Sequence, residues 1–269
     1  MRVVASEVRR LRGVRSTWVV VAGALVLNAA VAAFAATRLP AGELAVPDAV
    51  RAVAAVVPAL PLPLTALAAA VLGALAYGNE TRWPGLPASR VTVGRRLTAL
   101  LAKSLVVGAA ALLLAVAALG ANALAVWLAL PTGVDVSALF DPSGLPAAPF
   151  AAGGAGRPLA AFLALAVAGG WAGLLITSLV RSAVVGVLLT GALPALLEPT
   201  AGLLLHRTGR NWPVWVRELL PFQYGLDWVR GAADRTAGAW DGVVLAALLA
   251  PAAVLLLAAV LVQLRRRSL

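Results

Sequence analysis

Few side chains in this sequence are of the kinds that carry out chemistry. Cysteine is absent and His206 is the single histidine, so neither a thiolate site nor a histidine cluster is available. A hydrolase needs a base beside a nucleophile, and no Ser–Asp pair clusters with His206, for which a structural role is favoured. The patterns G-x-x-x-x-G-K-[ST], H-E-x-x-H and G-x-S-x-G do not occur. The sequence therefore predicts no catalytic residues, no metal site and no cofactor bound by this chain.

Polar residues inside long apolar runs are the remaining candidates. In lipid such groups face protein or water, and they often mark a substrate path. The residues predicted to line a path or gate are Glu198, Asn28 and Asn122 within these runs, with Phe222 and Tyr224 from the aromatic segment 206–242. Glu198 stands between Pro194 and Pro199, near the outer end of an apolar run. Glu198 could take part in substrate passage or gating. In the alternative, structural role, its carboxylate caps the next helix, pairs with an arginine such as Arg217, or reaches water.

The composition places the chain in a membrane. Hydrophobic residues make up 62% of its 269 residues, against about 45–50% in soluble proteins. A bilayer core of about 30 Å requires about 20 apolar helical residues, since a helix satisfies its own backbone in lipid. Six runs of this kind occur: 17–36, 59–77, 104–128, 159–180, 183–205 and 243–262. We therefore predict an all-α membrane protein with six transmembrane helices in a single domain.

Two of these runs have irregular ends. Prolines at 58, 61 and 63 favour an irregular entry to the second run, so its firm part is predicted over Leu64 to Tyr77. A cleaved signal peptide is the alternative for the first run, but its long basic lead and full span length favour a retained helix.

The distribution of charge predicts the orientation. With six spans both termini share one side, and the Lys/Arg excess marks the cytoplasmic side. Placing the termini inside puts 14 cations and two carboxylates there, and eight cations with nine carboxylates outside. Topology therefore accounts for the net charge of +11, and no nucleic-acid partner is predicted.

Segments outside the spans have distinct patterns. Residues 1–16 place Val4, Val8 and Leu11 on one side of a helix and arginines on the other, which favours a helix in the headgroup plane over a charged tail.

Residues 131–158 are rich in Pro, Gly and Ala, which predicts an irregular loop that connects the third and fourth spans. Residues 206–242 contain four tryptophans, which favours two short helices near 212–220 and 223–233 anchored at the outer interface over a cation-binding cage.

A small-residue pattern lies in the fourth span. Gly169 and Gly173, in "GGWAG", have the spacing that permits close approach of two helices. The partner helix could belong to the same chain or to a second copy, and contact within the chain is favoured.

The polar segment 78–103, "GNETRWPGLPASRVTVGRRLTALLAK", resembles a segment of ABC-2 type transporter permeases of actinobacteria. Those proteins carry G-x-E-[YF]-R-[WY] after the second span, then R-R, then L-L-x-A-K at the start of the third span. Gly78, Glu80, Arg82 and Trp83 match the first motif, Arg95 and Arg96 match the second, and "LTALLAK" with Lys103 is similar to the third. "SEVRRLRGVRSTW" before the first span is also similar to that family. Pro84 and Gly85 depart from the Gly-Thr that many members have.

The resemblance implies the membrane subunit of an ATP-driven exporter in the bacterial cytoplasmic membrane. Two copies of a cytoplasmic ABC ATPase would bind ATP and Mg, and a second permease subunit, identical or paralogous, would complete the path. Segment 78–103 would be the cytoplasmic coupling loop, and segment 206–242 would form re-entrant extracellular helices between spans 5 and 6. The implied ATPase-coupling residues are Glu80, Arg82, Trp83, Arg90, Arg95 and Arg96.

Two other functions stay open at this point. One is a permease-like sensor or immunity scaffold that binds a ligand without moving it. The other is a membrane-embedded enzyme acting on lipid, which would need a polar cluster at one depth that the sequence does not offer. The apolar path implies a lipophilic cargo, such as an antibiotic, drug or lipid.

Overall fold

The chain folds into a bundle of helices. The structure is a computed structural model and describes residues 2–39, 42–44, 46–57, 60, 62–82, 93–135, 156–192, 229 and 253–262, with the backbone alone at 2–3, 42–43, 46–47, 79–82, 93–97, 135 and 157. The helices are α1 (Arg2–Gly13), α2 (Arg15–Ala36), α3 (Val46–Val53), α4 (Leu64–Arg82), α5 (Val93–Ala129), α6 (Gly156–Val180), α7 (Ala183–Ala192) and α8 (Ala253–Val262). Two-residue strands, β1 (Gly42–Glu43) and β2 (Val134–Asp135), form one parallel pair.

Three described helices are long and apolar enough to cross a membrane. They are Arg15–Ala36, Thr98–Ala129 and Pro158–Val180, and they coincide with the first, third and fourth predicted spans. Shorter apolar helices at Leu64–Gly78, Ala183–Ala192 and Ala253–Val262 overlap the other three predicted spans. The helical fold is thus confirmed, with three helices of membrane-spanning length, while the total of six spans, their topology and the re-entrant helices stay predictions.

The second predicted span begins where its prolines indicate. The carbonyl oxygen of Pro63 accepts hydrogen bonds from the amides of Ala66 (2.9 Å) and Leu67 (3.1 Å), so α4 starts at Leu64 as predicted. The helix continues through Arg82, and α5 begins at Val93. Much of the polar segment 78–103 is therefore helical, and it extends α4 and α5 beyond their apolar parts.

Successive long helices alternate in direction. Ala32 and Ala36 of α2 cluster with Val126, and β1 and β2, which follow α2 and α5, pair in parallel. The two helices therefore run the same way, and α4 and α6 run the opposite way. The short helix α3 packs between the later parts of α2 and α5, at the end of the bundle where the strands lie.

The most extensive helix contact among the described residues joins α4 and α6 and is built on glycines. A Cβ at Gly173 would overlap the carbonyl oxygen of Ala70, and one at Gly73 would overlap that of Gly170. A Cβ at Gly169 would meet the carbonyl oxygen of Ala66. We call these four glycines (Gly73, Gly169, Gly170 and Gly173) the glycine seam. It confirms the favoured interpretation of Gly169 and Gly173 as a contact within the chain.

The other side of α6 packs against α5. The indole Nε1 of Trp171 donates a 2.7 Å hydrogen bond to the carbonyl oxygen of Ser104, and the ring lies on Gly108. With α7 packed alongside as well, α6 is the central helix: 67% of its span is buried, compared with 22% for α2.

The turn between α6 and α7 contains a strained residue. Arg181 is exposed and has φ +61°, and its amide donates a 2.7 Å hydrogen bond to the carbonyl oxygen of Thr177. This left-handed conformation costs an L-residue about 1–2 kcal/mol, and glycine avoids that cost.

We expect Arg181→Gly to raise the free energy of unfolding by about 0.5–1 kcal/mol. The gain is smaller than the full conformational cost, because glycine loses more backbone entropy on folding than arginine does.

Arg181→Ala is the matched control for this prediction, since it removes the charge and keeps the strain. Thermal unfolding in detergent micelles measures both variants. Equal stability of the glycine and alanine variants would show that strain at this position has no effect.

Candidate functional site at the basic end of the bundle

The charged residues of the described chain collect at the two ends of the bundle. The last turn of α4, the start of α5 and the α6–α7 turn lie at the same end of the bundle as α1. We call this end the basic end. Among described residues it carries ten cations and two carboxylates: Arg2, Arg9, Arg10, Arg12, Arg15, Arg82, Arg95, Arg96, Lys103 and Arg181, with Glu7 and Glu80. The opposite end carries three of each sign: Arg38, Arg51, Arg157, Glu43, Asp48 and Asp135. The described parts of the helices between the two ends contain no charged residue.

A buried ion pair joins α1 to the bundle. The Nζ of Lys103 lies 2.7 Å from Oε2 of Glu7, and the side chains are 4% and 15% exposed. Burying two charges costs desolvation free energy, which only a short, well-aligned ion pair offsets. A distance of 2.7 Å between nitrogen and oxygen is typical of a strong charge-assisted hydrogen bond. The pair therefore fixes one face of α1 against α5.

The ion pair determines which side of α1 faces inward. Glu7, Arg10, Leu11 and Val14 line a shallow cleft between α1 and the α4 residues Leu72, Leu75 and Ala76. Val8, part of the predicted apolar stripe, is instead exposed. The contact face of α1 thus combines a charge pair with apolar residues, whereas the sequence pattern alone had indicated a purely apolar stripe.

A tryptophan holds the junction between α1 and α2. Val14 has extended backbone angles and separates the two helices. The indole Nε1 of Trp18 donates a 2.9 Å hydrogen bond to the carbonyl oxygen of Arg12 near the end of α1. The bond gives a partner to a carbonyl in the last turn of α1, where intrahelical partners are lacking, and it links α2 to α1.

The predicted path residues Asn28 and Asn122 both lie inside the bundle. Asn28 donates to the carbonyl oxygen of Ala24 (2.7 Å) and accepts a 3.1 Å hydrogen bond from the hydroxyl of Thr65 on α4. Asn122 donates through Nδ2 to the carbonyl oxygen of Val53, at 2.8 Å, and thereby ties α5 to the end of α3. Both asparagines are almost fully buried, and they act as polar links between elements.

Two buried oxygens have no hydrogen-bond partner within the described part of the chain. They are Oδ1 of Asn122 and Oγ1 of Thr177, the latter packed against Gly186 of α7. These atoms lie on different helices and do not form a common site.

The other predicted site residues are only partly placed. The backbone puts Glu80 and Arg82 in the last turns of α4, and Arg95 and Arg96 in the first turn of α5. All four therefore belong to the basic end. Five predicted residues lie outside the described residues: Trp83, Arg90, Glu198, Phe222 and Tyr224. Their predicted roles stay predictions, as do those of the four residues placed by backbone alone.

Sequence reasoning missed the pairing of Glu7 with Lys103. The two residues are 96 positions apart, and many cations were equally available to Glu7. One signal was present, because Lys103 is the single lysine of the chain and stands inside the apolar run "LLAKSLV". A charged residue in such a run is expected to have a partner.

The described residues contain no group of three His, Cys, Asp or Glu side chains that could hold a metal ion. Comparison of the chain with protein-family models, with curated proteins and with solved structures gave no match.

Proposed function

We propose that this chain is the permease subunit of an ATP-driven ABC exporter, coupled at its basic end to a separate cytoplasmic ATPase. The observation that carries the proposal is the collection of α1, the end of α4 and the start of α5 at one strongly basic end. The sequence motifs that resemble ABC-2 permeases fall in the same three segments. A partner that docks there would contact all of them at once.

The charge distribution supports an orientation with the basic end in the cytoplasm. Lys and Arg near the ends of spans are retained on the cytoplasmic side, and ten of the thirteen cations among the described residues lie at this end. In this orientation both termini are cytoplasmic and α1 lies in the inner headgroup layer. The full proposal adds six spans and re-entrant extracellular helices between spans 5 and 6.

The packing of the bundle supports transmission of a force from the basic end. The extended helices α4 and α5 carry the coupling segment on continuous helical rods, and both contact the central helix α6. ATP-driven closure of the ATPase dimer would favour one of two permease states, because the partner binds them with different free energies. ATP and Mg belong to that partner, and a second permease subunit would complete the path for a lipophilic cargo.

Reconstitution tests the proposal directly. The chain is co-expressed with a Walker-A-containing ATPase that lacks spans, purified, and placed in vesicles with a lipophilic fluorescent probe. ATP-dependent probe movement is the expected result. A stable complex that hydrolyses ATP without moving any cargo would instead favour the scaffold function, and absence of a complex would contradict the coupling.

Substitutions in the last turns of α4 test the coupling loop. We expect Glu80→Ala and Arg82→Glu each to lower transport-coupled ATPase activity about tenfold, the size of a typical coupling free energy. Membrane insertion should be unchanged, because both positions lie beyond the apolar part of α4, Leu64–Gly78.

Arg38→Glu provides a matched charge reversal at the opposite end and should retain normal coupling. Coupled ATPase assays in vesicles distinguish the three variants. Normal coupling in both α4 variants would remove this segment from the mechanism.

A further inference from the structure

The outward face of α1 is basic because its carboxylate is turned inward. Glu7 is paired with Lys103 inside the contact with α5, so the exposed cations are Arg9 and Arg12 of α1, followed by Arg15 at the start of α2. We call these three residues the arginine face. If Glu7 pointed outward, one of their charges would be neutralised.

The arginine face adjoins exposed apolar side chains. Trp18 and Val19, near the start of α2, are 56% and 70% exposed, and Val8 of α1 is also exposed. The hydrogen bond from Trp18 to the Arg12 carbonyl holds the indole beside the arginines. Tryptophan beside cations at the start of an apolar helix is typical of a segment that lies at the boundary between lipid headgroups and acyl chains.

From this arrangement we infer that the arginine face binds anionic lipid headgroups, and that the Glu7–Lys103 pair orients α1 for this contact. Phosphodiester headgroups with net negative charge complement the three guanidinium groups, which bind phosphate oxygens in a forked geometry. The exposed apolar rim favours a lipid surface, because Trp18 and Val19 belong to a helix long and apolar enough to cross a membrane, where lipid surrounds its exposed side. The inference goes beyond the proposed function, since it needs neither the ATPase nor a cargo.

The absence of cysteine from the chain makes a site-specific test available. A single cysteine at Gly13 is tolerated, because no atom lies within 4 Å of a Cβ built there. The full chain carrying a nitroxide at Gly13→Cys is reconstituted in vesicles of phosphatidylcholine, with phosphatidylglycerol replacing it stepwise. We expect the label to become less mobile and less accessible to a water-soluble relaxation agent as phosphatidylglycerol increases.

Salt and arginine variants identify the cause of the effect. The response should weaken at high salt, because screening shortens the range of the attraction. Each of Arg9→Gln, Arg12→Gln and Arg15→Gln should weaken it by up to about fivefold, and the triple variant should abolish it. Arg38→Gln, at the opposite end, should have no effect.

Three results would overturn the inference. One is an identical spectrum in both lipids, and another is an undiminished response in the triple variant. The third is a label that responds only when the cytoplasmic ATPase is added, which would assign the arginine face to a protein partner. Tryptophan fluorescence of the triple variant verifies that it is folded.

Discussion

Glu7→Gln is expected to lower the free energy of unfolding by about 3 kcal/mol. The substitution leaves the Lys103 ammonium group, only 4% exposed, without the Glu7 carboxylate 2.7 Å away. Lys103→Met should lower the free energy of unfolding by less than Glu7→Gln does. The remaining Glu7 carboxylate lies closer to water than Lys103, and the methionine side chain fills the apolar part of the site. Chemical denaturation in detergent micelles, followed through the eight tryptophans, measures these differences.

A double variant separates charge pairing from packing. Glu7→Leu combined with Lys103→Met removes both charges and keeps similar volumes, so its stability should return to within about 1 kcal/mol of the parent. Arg51→Gln is the control for an exposed pair. A guanidinium nitrogen of Arg51 lies 3.4 Å from Oδ1 of Asp48, and the two side chains are 48% and 41% exposed. The free energy of unfolding should fall by about 0.5 kcal/mol or less. If Glu7→Gln were as mild as Arg51→Gln, the pair would not anchor α1.

Gly173→Ala is expected to destabilise the bundle by about 3 kcal/mol. The new methyl group would overlap the carbonyl oxygen of Ala70, and a backbone atom cannot move aside by a rotamer change. The helices α4 and α6 would have to separate, and the contacts along the whole glycine seam would weaken. Denaturation in micelles gives the loss directly.

Gly120→Ala is the matched control for the glycine seam. This glycine lies in α5 with no atom within 4 Å of an added Cβ, so alanine should change stability by about 1 kcal/mol or less, in the stabilising direction expected from helix propensity. If both alanine variants behaved alike, α4 and α6 would not approach as closely as described. If Gly173→Ala weakened only association of two copies, the seam would belong to a dimer contact.

The membrane helices were predictable because their signal is local. The first, third and fourth apolar runs became α2, α5 and α6, and Pro63 set the start of α4. The helix α3 and the β1–β2 pair had no such signal, since eight and two residues are too short for a periodic pattern to be distinctive. The helical ends of segment 78–103 were not predicted either, because the resemblance assigned the whole segment to a coupling loop without helix bounds.

The site was predictable only in its location. The sequence indicated that the cations of α1, Arg82, Arg95 and Arg96 share one side, and the structure gathers them at the basic end. It indicated neither that Glu7 would turn inward nor that Asn28 would bond to Thr65. These contacts depend on the rotation of one helix against another, which many residues determine together.

The sequence by itself determined that the chain forms apolar helices with an asymmetric distribution of charge. In lipid no water is present to bond to the backbone, and a helix satisfies its backbone groups within one segment, so an apolar run of about 20 residues predicts a helix. Only the tertiary structure decided that α4 and α6 meet at the glycine seam, and that Lys103 holds Glu7 and leaves the arginine face exposed. The reason is that these contacts join residues far apart in sequence, whose meeting depends on how whole helix surfaces fit together.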